Sequence, residues 1–431
     1  LSLAGFMGAV FCLTLAAFSL FAYPWTVKPF LISMLILAAM TSYYVDTLGI
    51  IVDRDMIQNV MVTTVAESRH LITPGYITHI IIFGVLPALI VMWVPIRPQT
   101  RIRAAVTPIV TFVVSLALAA GLLMSDLKSY ASILRERKDF MSSYQPGAPL
   151  VGAIRYAKMM SRSANLVLTS TGANARGGSA YDAPQKPMLT VVVAGETARA
   201  QNFSLNGYGV DTNPELSKLP IINFSNTQSC GTATAVSLPC MFSKYSRDDY
   251  SFEKGTSTEN VLDVFGHAGL QVEWWDNNTG DKAIAARFKT RRFNDLTDPE
   301  FCATGECIDG IFLEPLKDYI ASIKQDTVLV LHQIGSHGPT YYQRYPAAFE
   351  RFTPACRTAE FKKCTPQEIT NAYDNTIAYT DQILAQTIKM LAANEALATS
   401  LLYVSDHGES LGERGLYLHG APYFMAPDTQ T

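Results

Sequence analysis

The chain reads as two folds in tandem: an N-terminal α-helical transmembrane domain, then a C-terminal α/β domain with a mostly parallel sheet sandwiched by helices. Three observations predict this. Of the 71 charged side chains in 431 residues, only ten fall in residues 1–124. Four stretches of that half, 1–23, 29–45, 72–96 and 104–124, carry no formal charge, and most approach the roughly 20 residues that cross a bilayer. In the remainder, short apolar runs ending in polar residues alternate with helical periodicity, the pattern of strands joined by crossover helices. A chain this long exceeds one ordinary domain. Its net charge of −3 argues against a nucleic-acid partner.

Taken in order, the four apolar runs are expected to span the membrane, with 29–45 borrowing flanking residues. The loop from Arg97 to Arg103 holds three arginines and no acid, which assigns it to the cytoplasm and the chain after 124 to the outside. The outer loop 46–71 carries Ile57, Val60, Met61 and Val65 at helical spacing. It reads as an amphipathic helix lying on the membrane or against the second domain. His79, in the third run, is an intramembrane ionisable group and so a candidate for function or for a buried hydrogen bond. The chain opens on Leu, so a fragment lacking an upstream helix is expected; no signal peptide is evident. Residues 125–187 are expected to form a bridging helix followed by a linker rich in Ser, Thr, Gly, Asn and Pro at 169–187.

In residues 188–431, four strand candidates end in polar groups. Residues 188–194 lead to Glu196 and Thr197, 270–275 to Asp276 and Asn278, 327–331 to His332 and His337, and 401–404 to Asp406 and His407. Ile369, Ala372, Tyr373, Thr376, Ile383, Leu384 and Leu391 share one face of a helix predicted over 368–393. Parallel sheets place their chemistry at the carboxyl ends of strands, so Glu196, Asp406, His407, His337 and His419 are expected to gather into one or two metal sites. Carboxylate and imidazole ligands suit Zn²⁺ or Mn²⁺, and such a site suits phosphoryl or sulfuryl chemistry. Thr197, Thr227, Ser229, Thr232 and Thr234 are the candidate nucleophiles, and spacing does not choose among them; position beside Glu196 ranks Thr197 first. Six cysteines form near pairs, Cys230–Cys240, Cys302–Cys307 and Cys356–Cys364, all beyond the last span. Disulfides in an oxidising compartment are expected, rather than a zinc-thiolate site, because no pair has CxxC spacing. Cys12 is expected to be inert. His267, Trp274, Trp275, Asp374 and Asn375 read as structural.

Several stretches together resemble the phosphoethanolamine transferases that modify lipid A, the group that includes the mobile colistin-resistance enzymes. They are Val193-Ala-Gly-Glu-Thr-Ala-Arg199, Ser229-Cys-Gly-Thr-Ala-Thr-Ala235, Leu331-His-Gln-Ile-Gly-Ser-His-Gly-Pro339, Asn371-Ala-Tyr-Asp-Asn375 and Val404-Ser-Asp-His-Gly-Glu-Ser-Leu-Gly-Glu413, followed by Tyr417-Leu-His-Gly420. The resemblance covers the second half nearly end to end and matches the first half in layout, with one of the family's five helices absent and the C-terminal domain truncated at 431. It implies an alkaline-phosphatase-like fold. Thr234 is then the nucleophile, and Glu196, Thr234, Asp406 and His407 hold the principal zinc. His337 and His419 bind a second zinc or the substrate phosphate, and Asn278, Lys282 and His332 lie near the phosphoethanolamine group. The implied reaction takes phosphoethanolamine from phosphatidylethanolamine to lipid A through a covalent threonine intermediate and confers polymyxin resistance. The implied setting is the outer face of a bacterial inner membrane, with the catalytic domain in the periplasm and a monomeric enzyme. A lipopolysaccharide core sugar as acceptor, a membrane-anchored sulfatase or phosphodiesterase, and a non-catalytic scaffold are the rival readings.

Overall fold

Long aliphatic runs without formal charge become helices in the first half. The computed structural model describes residues 2–97, 99–136, 144–178, 186–421, 423 and 429–431. Residues 137–143 and 179–185 of the expected bridging segment and linker lie outside the described residues. Helices α1 (Ser2–Ser19), α2 (Val27–Leu48), α5 (Pro74–Trp93) and α6 (Arg101–Met124) follow the four apolar runs, and the last three are long and apolar enough to cross a membrane. The run expected at 29–45 does extend into its flanks. Within α5 a π turn, Ile81–Val85, precedes Pro87, whose ring lacks the N–H that an α-helical ladder needs. His79 Nε2 lies 3.0 Å from Ser42 Oγ, so the imidazole has a hydrogen-bond partner inside the helical unit.

The chain divides into two compact units. One comprises Leu1–Thr47, Ile51–Asp53 and Pro74–Val151; the other comprises Leu48–Ile50, Arg54–Thr73 and Gly152–Thr431. The amphipathic stretch expected over 46–71 is two helices, α3 (Arg54–Val62) and α4 (Val65–Leu71), both packed in the second unit. They break at Thr64, whose side chain accepts from Glu67 N and caps α4. Helices α7 (Leu127–Glu136) and α8 (Gly147–Ser163) carry the described part of the bridging segment.

The second unit is built on five parallel strands, in the order β3-β2-β4-β1-β5. These are β1 (Met188–Gly195), β2 (Gln271–Asp276), β3 (Lys289–Arg292), β4 (Thr327–His332) and β5 (Ala398–Ser405). Valine and leucine runs suit strands covered on both faces, and alternate side chains go to opposite sides. Val191, Val193, Leu329, Leu331 and Trp275 join one core with Leu316, Leu384 and Leu391. Val328, Val330, Trp274 and Ala194 join another with Leu238, Phe242 and Leu262. The covering helices are α9 (Thr234–Phe242) and α10 (Val261–His267) on the second face, and α11 (Leu313–Ser322) and α12 (Pro366–Ala392) on the first. Thr365 and Glu368 close a capping box at the start of α12. The charged edge strand β3, Lys-Thr-Arg-Arg, has no apolar face to betray it in the sequence.

Three disulfides join Cys230–Cys240, Cys302–Cys307 and Cys356–Cys364, and Cys12 is a free thiol. The residues read as structural behave so. Trp274 and Trp275 are fully buried. His267 pairs with Glu259 at 2.9 Å. Asn375 Oδ1 accepts from the Arg351 and Phe352 amides, and Asp374 accepts from Asn202 and Tyr208.

Candidate active site

The parallel register brings the strand ends together. Ala194 lies opposite His332, Gly195 opposite Ser405, and Asp276 opposite His332. The next residues, Glu196 after β1 and Asp406 and His407 after β5, therefore emerge side by side. One ligand atom from each lies within 4.8 Å of the others, and all three residues are buried. Thr234 is the first residue of α9, and its hydroxyl lies 3.1 and 3.0 Å from the two Glu196 oxygens and 3.3 Å from His407 Nε2. A helix N-terminus favours negative charge on an adjacent oxygen or phosphate. The Cys230–Cys240 bridge links the loop before Thr234 to α9.

His407 Nδ1 is engaged by Gly408 O at 2.8 Å, which leaves Nε2 for the site. Asp406 Oδ1 accepts from the His407 and Thr197 amides, while Oδ2 is buried without a hydrogen-bond partner. Thr197, at φ 59°, holds its hydroxyl 2.6 Å from Glu196 Oε1. A β-branched residue in this region is strained. Burial and the charge of Glu196 push the Asp406 carboxyl up to about 6. For Glu196, burial is outweighed by the hydrogen bond to His407 and its charge, so the carboxyl lies well below the usual range. Asp406 and Glu196 together raise His407 to about 10 despite burial. Two buried carboxylates around one imidazole, with one carboxylate oxygen left without a hydrogen-bond partner, call for a cation. Their oxygen and nitrogen donors match the preferences of zinc, and these residues fit that ion.

The loop 333–337 crosses directly over Glu196. Ser336 N donates to Glu196 O at 3.0 Å, and Gly335, at φ 51°, passes so close that a Cβ would stand 2.5 Å from that oxygen. His337 leaves this loop toward His419, with ring centroids 5.1 Å apart, and His419 lies 4.6 Å from the His407 ring. What returns His419 is a short antiparallel hairpin of β6 (Ser410–Leu411) and β7 (Tyr417–Leu418), unforeseen in the sequence. Asn278 Nδ2 donates to Glu196 Oε2 at 2.7 Å and to Gln333 O at 2.8 Å. Lys282 Nζ donates to Thr279 at 2.7 Å, and burial is the main cause lowering its pKa. His332 is fully buried. Among the other nucleophile candidates, Ser229 and Thr232 bond backbone carbonyls at 2.7 and 2.5 Å, and Thr227 bonds Phe224 O at 3.3 Å.

Three acids at the site were not among the candidate site residues. Glu67 on α4 pairs with His337 at 3.2 Å, and its charge raises His337 to about 9 against the cost of burial. Glu409 lies 2.6 Å from the Tyr341 hydroxyl and 3.3 Å from His419 Nδ1, and burial lifts it to about 8. Asp276 bonds His332 at 2.8 Å. Glu67 lies 270 residues before His337, so no local motif exposes it. Asp276 closes one of the strand ends named from the sequence, and Glu409 lies within the Val404–Glu413 stretch.

A family model described as Sulfatase matches residues 189–431, and one described as Phosphoethanolamine transferase EptA/EptB matches residues 10–160. The phosphoethanolamine transferase EptA of Escherichia coli K12 is 42% identical over 96% of this chain and 76% of that protein. The chain belongs to the phosphoethanolamine transferase family. Escherichia coli phosphatidylethanolamine transferase Mcr-1 is 40% identical over 95% of this chain and 77% of its own. The integral membrane lipooligosaccharide phosphoethanolamine transferase A of Neisseria meningitidis superposes with a TM-score of 0.93 at 39% identity, covering 98% of this chain and 79% of that one. The transferase is thus a membrane protein whose second unit has the alkaline-phosphatase-like fold, as the motif resemblance implied.

Proposed function

We propose that this transferase moves phosphoethanolamine from phosphatidylethanolamine to a phosphate of lipid A, with Thr234 as the covalent carrier. The observation that carries the reading is the setting of the Thr234 hydroxyl, at a helix N-terminus between Glu196 and His407. Thr197 also touches Glu196, but it lies on a strand-end turn rather than at the first residue of an α-helix. Glu196, Thr234, Asp406 and His407 would hold a zinc ion, which when bound supplies Lewis acidity that lowers the hydroxyl pKa and balances charge on phosphate oxygens. His337 and His419 would bind a second zinc or the phosphate group.

The reaction has two halves. The Thr234 oxygen attacks phosphorus, its proton leaves on the side where Glu196 accepts its hydrogen bond, and the bond to the diacylglycerol oxygen breaks. Diacylglycerol departs with a proton, leaving phosphoethanolamine on Thr234. A phosphate oxygen of lipid A then attacks the same phosphorus, and the Thr234 hydroxyl is restored. Asn278 positions Glu196 throughout; Lys282 and His332 stand where the headgroup would bind. The added ammonium lowers the net negative charge of lipid A and weakens its attraction for polymyxins. We place the second unit in the periplasm, where both lipids are available, on the arginine-rich 97–103 loop.

Mass spectrometry of lipid A from Gram-negative cells expressing the protein or its Thr234→Ala variant tests this. A phosphoethanolamine adduct with the parent protein alone supports it. An adduct confined to core sugars overturns the acceptor, and no adduct from folded protein overturns the transfer. The match to a sulfatase model over 189–431 favours hydrolysis as the second reading, which release of soluble phosphoethanolamine without transfer would identify.

A further inference from the structure

The ends of β2 and β4 set a carboxylate against an imidazole. Asp276 and His332 are register partners, and both are buried, at 2% and 0% exposure. Asp276 Oδ2 lies 2.8 Å from His332 Nδ1 and accepts from Trp274 Nε1 at 2.9 Å. Asp276 Oδ1 accepts from the amides of Asn278 and Gly280, each at 3.0 Å. Every contact to the carboxylate is therefore a donor. The far nitrogen, His332 Nε2, is buried without a partner among the described residues. The charges of Glu196 and Asp406 act on the same ring.

An imidazole whose Nδ1–H is held by a buried carboxylate has its tautomer and orientation set, and must offer Nε2 to whatever it serves. The other oxygen of the same carboxylate pins the 278–280 turn, from which Asn278 reaches Glu196 at 2.7 Å. We propose that Asp276 is a positioning residue of the transfer reaction, holding the Nδ1–H of His332 so that Nε2 faces the reacting phosphate group, and anchoring the turn that aims Asn278 at Glu196. The inference rests on the functional reading above, in which His332 adjoins the phosphoethanolamine group.

Asp276→Asn separates the two arms. Its amide oxygen still accepts from the 278–280 turn, but its NH₂ replaces the acceptor that faces His332 and Trp274, which favours the Nε2–H tautomer. The assay uses the full chain in detergent and phosphatidylethanolamine fluorescent on an acyl chain, with labelled diacylglycerol as the readout. Asp276→Asn is expected to lower kcat about 100-fold while KM stays within about threefold. In a His332→Gln background the same change is expected to cost less than about threefold, because residues acting as a unit are non-additive. An equal loss in both backgrounds, with unchanged metal content, overturns the proposal, as does full activity of Asp276→Asn. ¹⁵N-histidine spectra of the unsubstituted protein, with the His332 signals assigned by their loss in His332→Gln, give a readout that needs no Asp276 variant to fold. A protonated Nδ1 is expected, and an unprotonated Nδ1 overturns the proposal. If the unsubstituted protein releases no diacylglycerol, the functional reading fails, while the spectra still decide the Asp276–His332 arrangement.

Discussion

Asp406 Oδ2 is buried without a hydrogen-bond partner, and the buried Thr234 hydroxyl lies against Glu196 and His407. Asp406→Asn keeps the shape and removes one negative ligand. Bound zinc, measured by plasma mass spectrometry on purified protein, is expected to fall at least tenfold, with diacylglycerol release falling in parallel. Gly335 offers a steric test. Ala there meets both the left-handed backbone and the Glu196 carbonyl at 2.5 Å. Gly335→Ala is expected to destabilise the second unit by about 1–3 kcal/mol in denaturant titrations and to reduce activity by shifting Glu196. Glu196, Asp406 and His407 were legible in the sequence because each lies within three residues of the end of an apolar run. Thr234 was not separable from its neighbours by spacing, since the property that singles it out is a distance to Glu196.

The informative element is α4, seven residues that with α3 belong to the second unit although the segment lies in sequence between the apolar helices α2 and α5. Among the described residues it is held by the Glu67–His337 pair at 3.2 Å and by the hydrogen bond between His70 Nε2 and Glu306 at 2.9 Å. Glu306 also pairs with the buried Arg344 at 2.9 Å. Burial raises the Glu306 pKa, but the Arg344 charge and the His70 bond outweigh it and hold the carboxyl below the ordinary range. A depressed carboxylate contributes stability above its unfolded pKa, near 4.5, and loses that contribution as pH falls through the folded value. The opening constant of residues 65–71, taken from hydrogen exchange after division by the intrinsic rate at each pH, is therefore expected to rise below about pH 4.5, by at most about tenfold per unit for this one proton. Glu306→Gln is expected to open α4 already at neutral pH and to flatten that dependence; an unchanged profile rejects the role. Nothing in the 46–71 pattern distinguished packing on a domain from lying on a membrane, because an apolar face serves either.

For the whole molecule, the arrangement across the membrane decides which lipids the site can reach. A cysteine introduced at exposed Ser217 is expected to react with a membrane-impermeant maleimide in cells with a permeabilised outer membrane. One at Thr100 is expected to react only after the inner membrane is broken; the reverse result rejects the periplasmic assignment. Thorough chelation followed by zinc is expected to abolish and then restore diacylglycerol release, and full activity after verified metal removal rejects the zinc step.

Charge distribution alone separated the apolar first half from the second, because a bilayer core excludes ions over a length that sequence directly displays. Valine and leucine runs stopping at Glu196, His332 and Asp406 similarly revealed a parallel sheet with chemistry at one edge, since strand ends are local. Contacts between distant segments were decided by the tertiary structure. The β6–β7 hairpin returns His419 to His407, α4 delivers Glu67 to His337, and the pairing of β2 with β4 sets Asp276 against His332. Each depends on backbone direction and side-chain distance between residues far apart in sequence or across a turn, and hydrophobic periodicity carries no record of either.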